Sequence, residues 1–189
     1  MSLMSDSIRT FVAVKIPVTA ALRPVLRLLA TKNWPVTAVS PDNLHVTLKF
    51  LGDAPIESRD AIQDQIAKSV TGKPPFDLRV VGLSAFPKVD RPSVVWAGLN
   101  DAEPLVSLAH RLEEALELLG FAREPRPFHP HLTLARVKGR PPRELFELLR
   151  QHVDTDFGTV EIASLEFLRS DRERDGARHS TLLSCELKA

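Results

Sequence analysis

Two short runs carry residue types with chemical use. Asn43 to Phe50 reads NLHVTLKF, and His129 to Arg136 reads HPHLTLAR, so His45-x-Thr47-Leu48 returns as His131-x-Thr133-Leu134. Side chains alternate along a strand, so His45 and Thr47 share one face at roughly 6.5 Å spacing while Leu44, Val46 and Leu48 turn to the other. The same alternation sets His131 and Thr133 against Leu132 and Leu134. Imidazole titrates near neutrality, at about pH 6.5 when unperturbed, so one copy can accept a proton while the other gives one. Two such groups flanking a phosphodiester can deprotonate an attacking water and protonate the departing oxygen in one turnover. Two threonine hydroxyls can donate to the non-bridging oxygens as charge grows there. Packing accounts for the leucines of both runs, but nothing in a core calls for the alternating His and Thr.

The elements that must position these residues follow a repeated order. Residues 9–16 predict a strand ending at Pro17, and TAALRPVLRLLATKN a helix that starts or kinks at Pro24. Residues 44–51 predict the motif strand, APIESRDAIQDQIAKSV a helix capped by Asp53, and FDLRVVGLSAF a strand with a bulge at Gly82. The order then restarts: strand 93–99, a helix capped by Asp101 and stopped by Gly120, and strand HLTLARV. A short helix in PPRELFELLRQH, the strand TVEIASLEFLRS and a last strand RHSTLLSCEL follow, with Asp175-Gly176 as the final hairpin signal. The expected architecture is α+β and bilobal: two antiparallel-rich sheets, backed by helices, around a central cleft. It forms a single domain over 4–189, with pseudo-repeats at about 9–86 and 93–168 and a closing strand at 178–187.

Bulk composition narrows the function. With 43% hydrophobic and 26% charged residues the 189-residue chain can bury one substantial core. A net charge of +1 speaks against tracking long nucleic acid by charge alone, so an anionic partner must be met locally. Cys185 is the only cysteine, which leaves no internal disulfide or cysteine-rich zinc site. The N-terminal apolar run FVAVKIPV is too short to span a bilayer, and a cytoplasmic protein without membrane association is expected.

The chain resembles the two-histidine phosphoesterases and, within them, the bacterial and archaeal RNA 2′,3′-cyclic phosphodiesterases also described as 2′-5′ RNA ligases. The resemblance rests on FVAVKIP, PDNLHVTLKFLGD, GLSAFP, RPSVVWAGL, RPFHPHLTLARVK and GARHSTL, in family order over nearly the whole chain. It implies an enzyme that opens cyclic phosphate ends of RNA or small nucleotides to 2′-phosphates with no metal; no other cofactor and no obligate protein partner is expected, and a monomer is. It implies further that His45 is the acid, His131 the base, Thr47, Thr133 and Arg136 phosphate binders, and Phe50 a base contact. The motifs themselves would permit the reverse order of acid and base. Reversible 2′-5′ joining of RNA, and an RNA-end binding module without turnover, are the alternatives.

Several residues admit two readings. Phe50 and Arg136 stand five residues after their histidines, so regular alternation turns both away from the cleft unless the strand bulges or ends. For Phe50 core packing and base contact stand level, whereas an unpaired charge on a core face makes phosphate contact the better reading of Arg136. His129 shares the face of His131 and could be half of a metal site or line the cleft edge as a substrate contact. His110, His152 and His179 are expected in surface or satisfied polar roles, and Trp96 in the core. The basic residues Arg123, Arg126, Arg136, Lys138, Arg140, Arg143 and Arg150 could guide an RNA end or form a solvated face.

Overall fold

In a computed structural model, residues 7–173 and 176–189 are described. Among these described residues, nine strands and four α-helices follow in chain order. They are β1 (Ser7–Lys15), α1 (Arg23–Thr31), β2 (Val36–Ala38), β3 (His45–Pro55), α2 (Arg59–Val70), β4 (Phe76–Lys88) and β5 (Arg91–Asn100). Next come α3 (Glu103–Glu117), β6 (His131–Val137), α4 (Arg143–Gln151), β7 (Asp156–Ile162), β8 (Ser164–Glu173) and β9 (Gly176–Glu186). The strands form two sheets, β3-β1-β8-β9 and β2-β6-β5-β4-β7, in which every ladder is antiparallel. Without the short β2, the second sheet reads β6-β5-β4-β7 and matches the first position for position, with a His-x-Thr strand at the same end of each. The α+β, two-sheet architecture expected from the sequence is therefore present.

Membership of the sheets interleaves the two halves of the chain. Strand β4, which ends the first half, hairpins through Val89 and Asp90 onto β5 and so joins the second sheet. In return β8 pairs with β1 of the first sheet. The stretch TVEIASLEFLRS, expected as one strand, is two: β7 lies on the edge of the second sheet, and at Ala163 the chain crosses over and begins β8. The Ala163 carbonyl is held at the crossing by the Leu187 N–H at 2.8 Å. One large buried cluster draws residues from both sheets and all four helices, among them Val12, Val46, Leu132, Leu134, Phe157 and Phe167. The helices bury one stripe each, as in Leu105, Leu108, Leu112 and Leu116 of α3, while their outer faces stay polar.

Two local expectations need correction, and a third is decided between its alternatives. Asp53 caps no helix, because β3 continues to Pro55 and a 3₁₀ turn over Ile56–Ser58 precedes α2. Asp101 takes a positive φ of 58° and makes no cap bond; α3 starts at Glu103 with Pro104 in its first turn. Pro24 likewise sits in the first turn of α1, so it starts that helix and does not kink it. Gly120 does end the α3 region, at φ 88°, with its N–H on Glu117 O and the Phe121 N–H on Leu116 O. Asp175 of the final hairpin lies outside the described residues.

Gly82 is a bulge, as its place in the strand suggested: the β4–β5 register slips between Val81 and Leu83. Its φ is +74°, and a Cβ there would collide with the Val153 carbonyl. The bulge lets the N–H groups of Gly82 and Leu83 reach Thr155 O and His152 O, both at 2.8 Å, which docks the turn after α4 against the sheet. Gly82→Ala is expected to cost roughly 1–3 kcal/mol through the strained backbone and the clash. Denaturant unfolding checks this, and an unchanged midpoint would show that the neighbouring turn yields freely.

Candidate active site

Each motif histidine is the first residue of its strand. Their Nδ1 atoms meet the carbonyl two residues earlier, His45 to Asn43 O at 2.6 Å and His131 to His129 O at 2.8 Å. A carbonyl can only accept, so Nδ1 carries the proton in both rings and Nε2 of each neutral imidazole keeps its lone pair for a proton in transit. One backbone device thus orients both rings in the same tautomer.

The two strands then bulge at the same motif position. In β3, Thr47 pairs with Ala13 and Lys49 with Val12, leaving Leu48 as the extra residue. In β6, Thr133 pairs with Trp96 and Ala135 with Val95, leaving Leu134 as the extra residue. The burial pattern is the same over six residues: half-buried His, buried, half-buried Thr, two buried residues in succession, then an exposed one. Two inward residues in a row reverse the alternation, so Phe50 and Arg136 return to the face of their histidines. The parity problem posed by the sequence is resolved by a bulge in both copies. Phe50 is 67% exposed, which excludes core packing, and its ring lies 6.1 Å from that of Phe11 on the histidine face. The inward turn of Lys49 is compensated by Glu113 of α3 at 2.5 Å and by Ala122 O at 2.6 Å, which ties the bulge to the helix behind it.

Residues of β3 and β6 approach within 8 Å of one another, Cα to Cα. His45 lies within electrostatic reach of both Arg136 and His131, so side chains of the two sheets converge. Burial is the main cause that lowers the proton affinity of His45; the bond from Asn43 opposes it, and the positive charges of Arg136 and His131 add to it. Thr47 and Thr133 lie half-buried on the same faces as their histidines. Arg136 makes no salt bridge with a described carboxylate. Of the other basic residues in that region, Arg123, Arg126 and Arg143 pair with Glu117, Glu124 and Glu147 on the surface, which fits a solvated face.

Aromatic rings surround both histidines. His131 stands edge-on to Phe86 at 5.1 Å, and His129, exposed, lies 6.4 Å from His131 in a near-parallel stack. Trp96, expected in the core, is half-buried, stacks on Phe86 at 5.0 Å and reaches both histidine rings. Trp34 and Phe128 are half-buried against the core. Among the described residues no group of three His, Cys, Asp or Glu could hold a metal ion, so His129 and His131 lack a third ligand. Nor is any helix of the described residues long and apolar enough to cross a membrane.

His179 is the residue that sequence reasoning missed. It was expected in a surface or satisfied polar role, but β9 carries it beside His45, ring to ring at 5.0 Å and 82°. His110 is exposed, and His152 bonds Thr155 Oγ1 at 3.1 Å, as expected of them. Burial, and then the charge of His45, push His179 down to about 4 from the usual 6.5. Unfolding frees both imidazoles to take up protons near 6.5, so acidification below that value favours the unfolded chain. For His179 the loss of stability runs from about 6.5 to about 4. Thermal unfolding across this window is expected to show a shallower decline in His179→Phe than in the parent; equal slopes would contradict the burial argument.

The two-sheet scaffold thus carries a pair of like-tautomer imidazoles, two hydroxyls and a guanidinium, groups that can move protons and meet an anion. A model of the 2′-5′ RNA ligase superfamily matches residues 20–174, and the chain belongs to that superfamily. It is 38% identical over 163 residues to an RNA 2′,3′-cyclic phosphodiesterase of Aeropyrum pernix, covering 85% of this chain and 90% of that protein. To the protein of the same description in Thermotoga maritima it is 30% identical over 184 residues, 95% and 96% of the two chains. Among solved structures, TT0787 of Thermus thermophilus superposes with a TM-score of 0.81 at 30% identity, over 95% of this chain and 98% of that one. Escherichia coli LigT in its apo form gives 0.73 at 26% identity, over 98% and 100%.

Proposed function

We propose that the protein is an RNA 2′,3′-cyclic phosphodiesterase whose His45 and His131 act as a proton-transfer pair on a cyclic phosphate without a metal ion. The observation that supports this best is the shared tautomer: both rings donate Nδ1–H to a carbonyl two residues back, which leaves two Nε2 atoms to exchange protons with substrate. The names of the relatives supply the substrate class.

In this reading His131 takes a proton from water as its oxygen attacks phosphorus, and His45 protonates the 3′ oxygen as the P–O3′ bond breaks, leaving a 2′-phosphate. Thr47, Thr133 and Arg136 hold the non-bridging oxygens, where each donor opposes the charge that builds in the transition state. The lowered proton affinity of His45 suits an acid only once substrate is bound. A phosphate anion between the two sheets offsets the positive charges of Arg136 and His131, and His45 then keeps its proton. Phe50, exposed on the same face, offers a ring to the terminal base, and His129 lines the edge beside His131.

Incubation with 2′,3′-cyclic CMP or a cyclic-phosphate RNA, with and without EDTA, tests the proposal. Hydrolysis to the 2′-phosphate, unchanged by chelator, is the expected result. Loss of turnover with EDTA would overturn metal independence, and binding without turnover would overturn the enzyme. Joining to a 5′-hydroxyl strand in place of hydrolysis would favour the ligase direction, in which that hydroxyl replaces water as the nucleophile.

A further inference from the structure

Strand β9 folds back along β8 and lays His179 and Thr181 over the first motif. The His179 ring stands 5.0 Å from His45 at 82° and 4.9 Å from Phe11 at 72°, while Phe11 lies 5.1 Å from His45. Phe11 itself is buried with Ala13 and Leu168 in a small apolar cluster separate from the main core, and Leu168 also lines the recess of about 40 Å³ beside His45 and His179. Two further bonds hold β9 in place. Asn43 Nδ2 donates to Ala177 O at 3.3 Å, and Lys15 Nζ to Thr181 Oγ1 at 3.2 Å. Asn43 is also the residue whose carbonyl fixes Nδ1 of His45. His45 is therefore set by a carbonyl at Nδ1, the ring of Phe11 and the near-perpendicular ring of His179.

We propose that His179 is a positioning residue for His45: a ring packed against the His45 imidazole that shields one side of it from water and keeps its Nε2 directed at the phosphate. The titratable and charged groups around the pair include Lys15 of β1, Asp42 of the turn before β3, and Arg136 and His131 of β6. Of the two imidazoles of the pair, His179 is the one that yields its charge. Two imidazolium ions 5.0 Å apart repel, and burial costs a second charge further. His179 accordingly stays neutral down to about pH 4, so over the range in which histidine chemistry runs it acts as an aromatic wall. Its contribution is contact and dehydration, which a phenyl ring of similar size can supply.

The inference rests on the reading of His45 as a proton-transfer group, and the test separates the two. In ¹⁵N-histidine-labelled protein the titration of His45 is followed by NMR in the parent, His179→Ala and His179→Phe, and turnover of 2′,3′-cyclic CMP is measured on each. In His179→Ala the His45 midpoint should rise toward 6.5 as water reaches the ring. Its kcat should fall about 10-fold through misorientation, with KM within about 2-fold of the parent. His179→Phe should hold both the midpoint and most of the turnover. An unmoved His45 midpoint in His179→Ala would overturn the proposal, and so would a phenylalanine variant as impaired as the alanine one, since His179 would then be bonding substrate. If instead His45→Ala keeps full turnover while His179→Ala still shifts the His45 midpoint, the catalytic reading fails and the positioning contact stands.

Discussion

His45→Ala and His131→Ala are each expected to lower kcat on a 2′,3′-cyclic phosphate by about 10²- to 10⁴-fold, with the fold intact. Both side chains are only partly buried and sit at strand starts, where truncation leaves no closed cavity. In the proposed mechanism each variant removes one of the two proton-transfer groups, and a cyclic phosphate cannot open readily when either the nucleophile keeps its proton or the leaving oxygen departs without one. The double variant should be scarcely slower than the worse single one, because groups that act as a unit do not add. Single-turnover rates beside a thermal melt check this. Retention of more than about a tenth of the parent rate in either variant would remove that imidazole from the chemistry. The pH profile supplies a second reading. In the free protein His45 holds its proton less firmly than an ordinary imidazole, whereas a phosphate bound as proposed would strengthen that hold. With His45 as the acid, the alkaline limb of kcat should therefore lie at higher pH than that of kcat/KM, since the first reports the complex and the second the free enzyme. Coincident limbs would argue for the reverse order of the two histidines.

Arg136→Gln should cost about 10²- to 10³-fold in kcat/KM, the scale seen when a donor to a developing oxyanion is lost. The bulge at Leu134 returns Arg136 to the side of His131 and Thr133. Its guanidinium pairs with no described carboxylate and acts electrostatically on His45 from the opposite sheet. A lysine in its place should recover part of the loss, because charge is restored without the planar fork that can meet two phosphate oxygens. An Arg136→Gln variant within about 3-fold of the parent would mean that the guanidinium faces solvent during turnover.

Much of this site could be read before the structure, and what could not was non-local. Alternation in His45-x-Thr47 and His131-x-Thr133 placed each threonine on the face of its histidine, and the strands have them so, since a period of two is written directly in a strand. The long stripe of α3 and the bulge at Gly82 were similarly local. Phe50 and Arg136 were ambiguous because a bulge shows only in the partner register: Leu48 and Leu134 look like ordinary inward residues until β1 and β5 are seen to skip them. His179 gave no signal, as its meeting with His45 depends on β9 pairing with β8 and β8 with β1. The split at Ala163 was hidden for a related reason: β7 and β8 are both good strands with one residue between them, and only their different sheets separate them.

The exchange of strands between sheets bears on how the enzyme is made. The sheet carrying His45 is built from β1 and β3 at the start of the chain and from β8 and β9 at its end. A polypeptide emerging from the ribosome completes the other sheet only once β7 has left, and His45 stays uncovered until β8 and β9 follow. Such distant pairings are slow to form. The surroundings of His45 consequently assemble late, and a partly synthesised chain lacks the strands that bring Leu168 and His179 beside that ring.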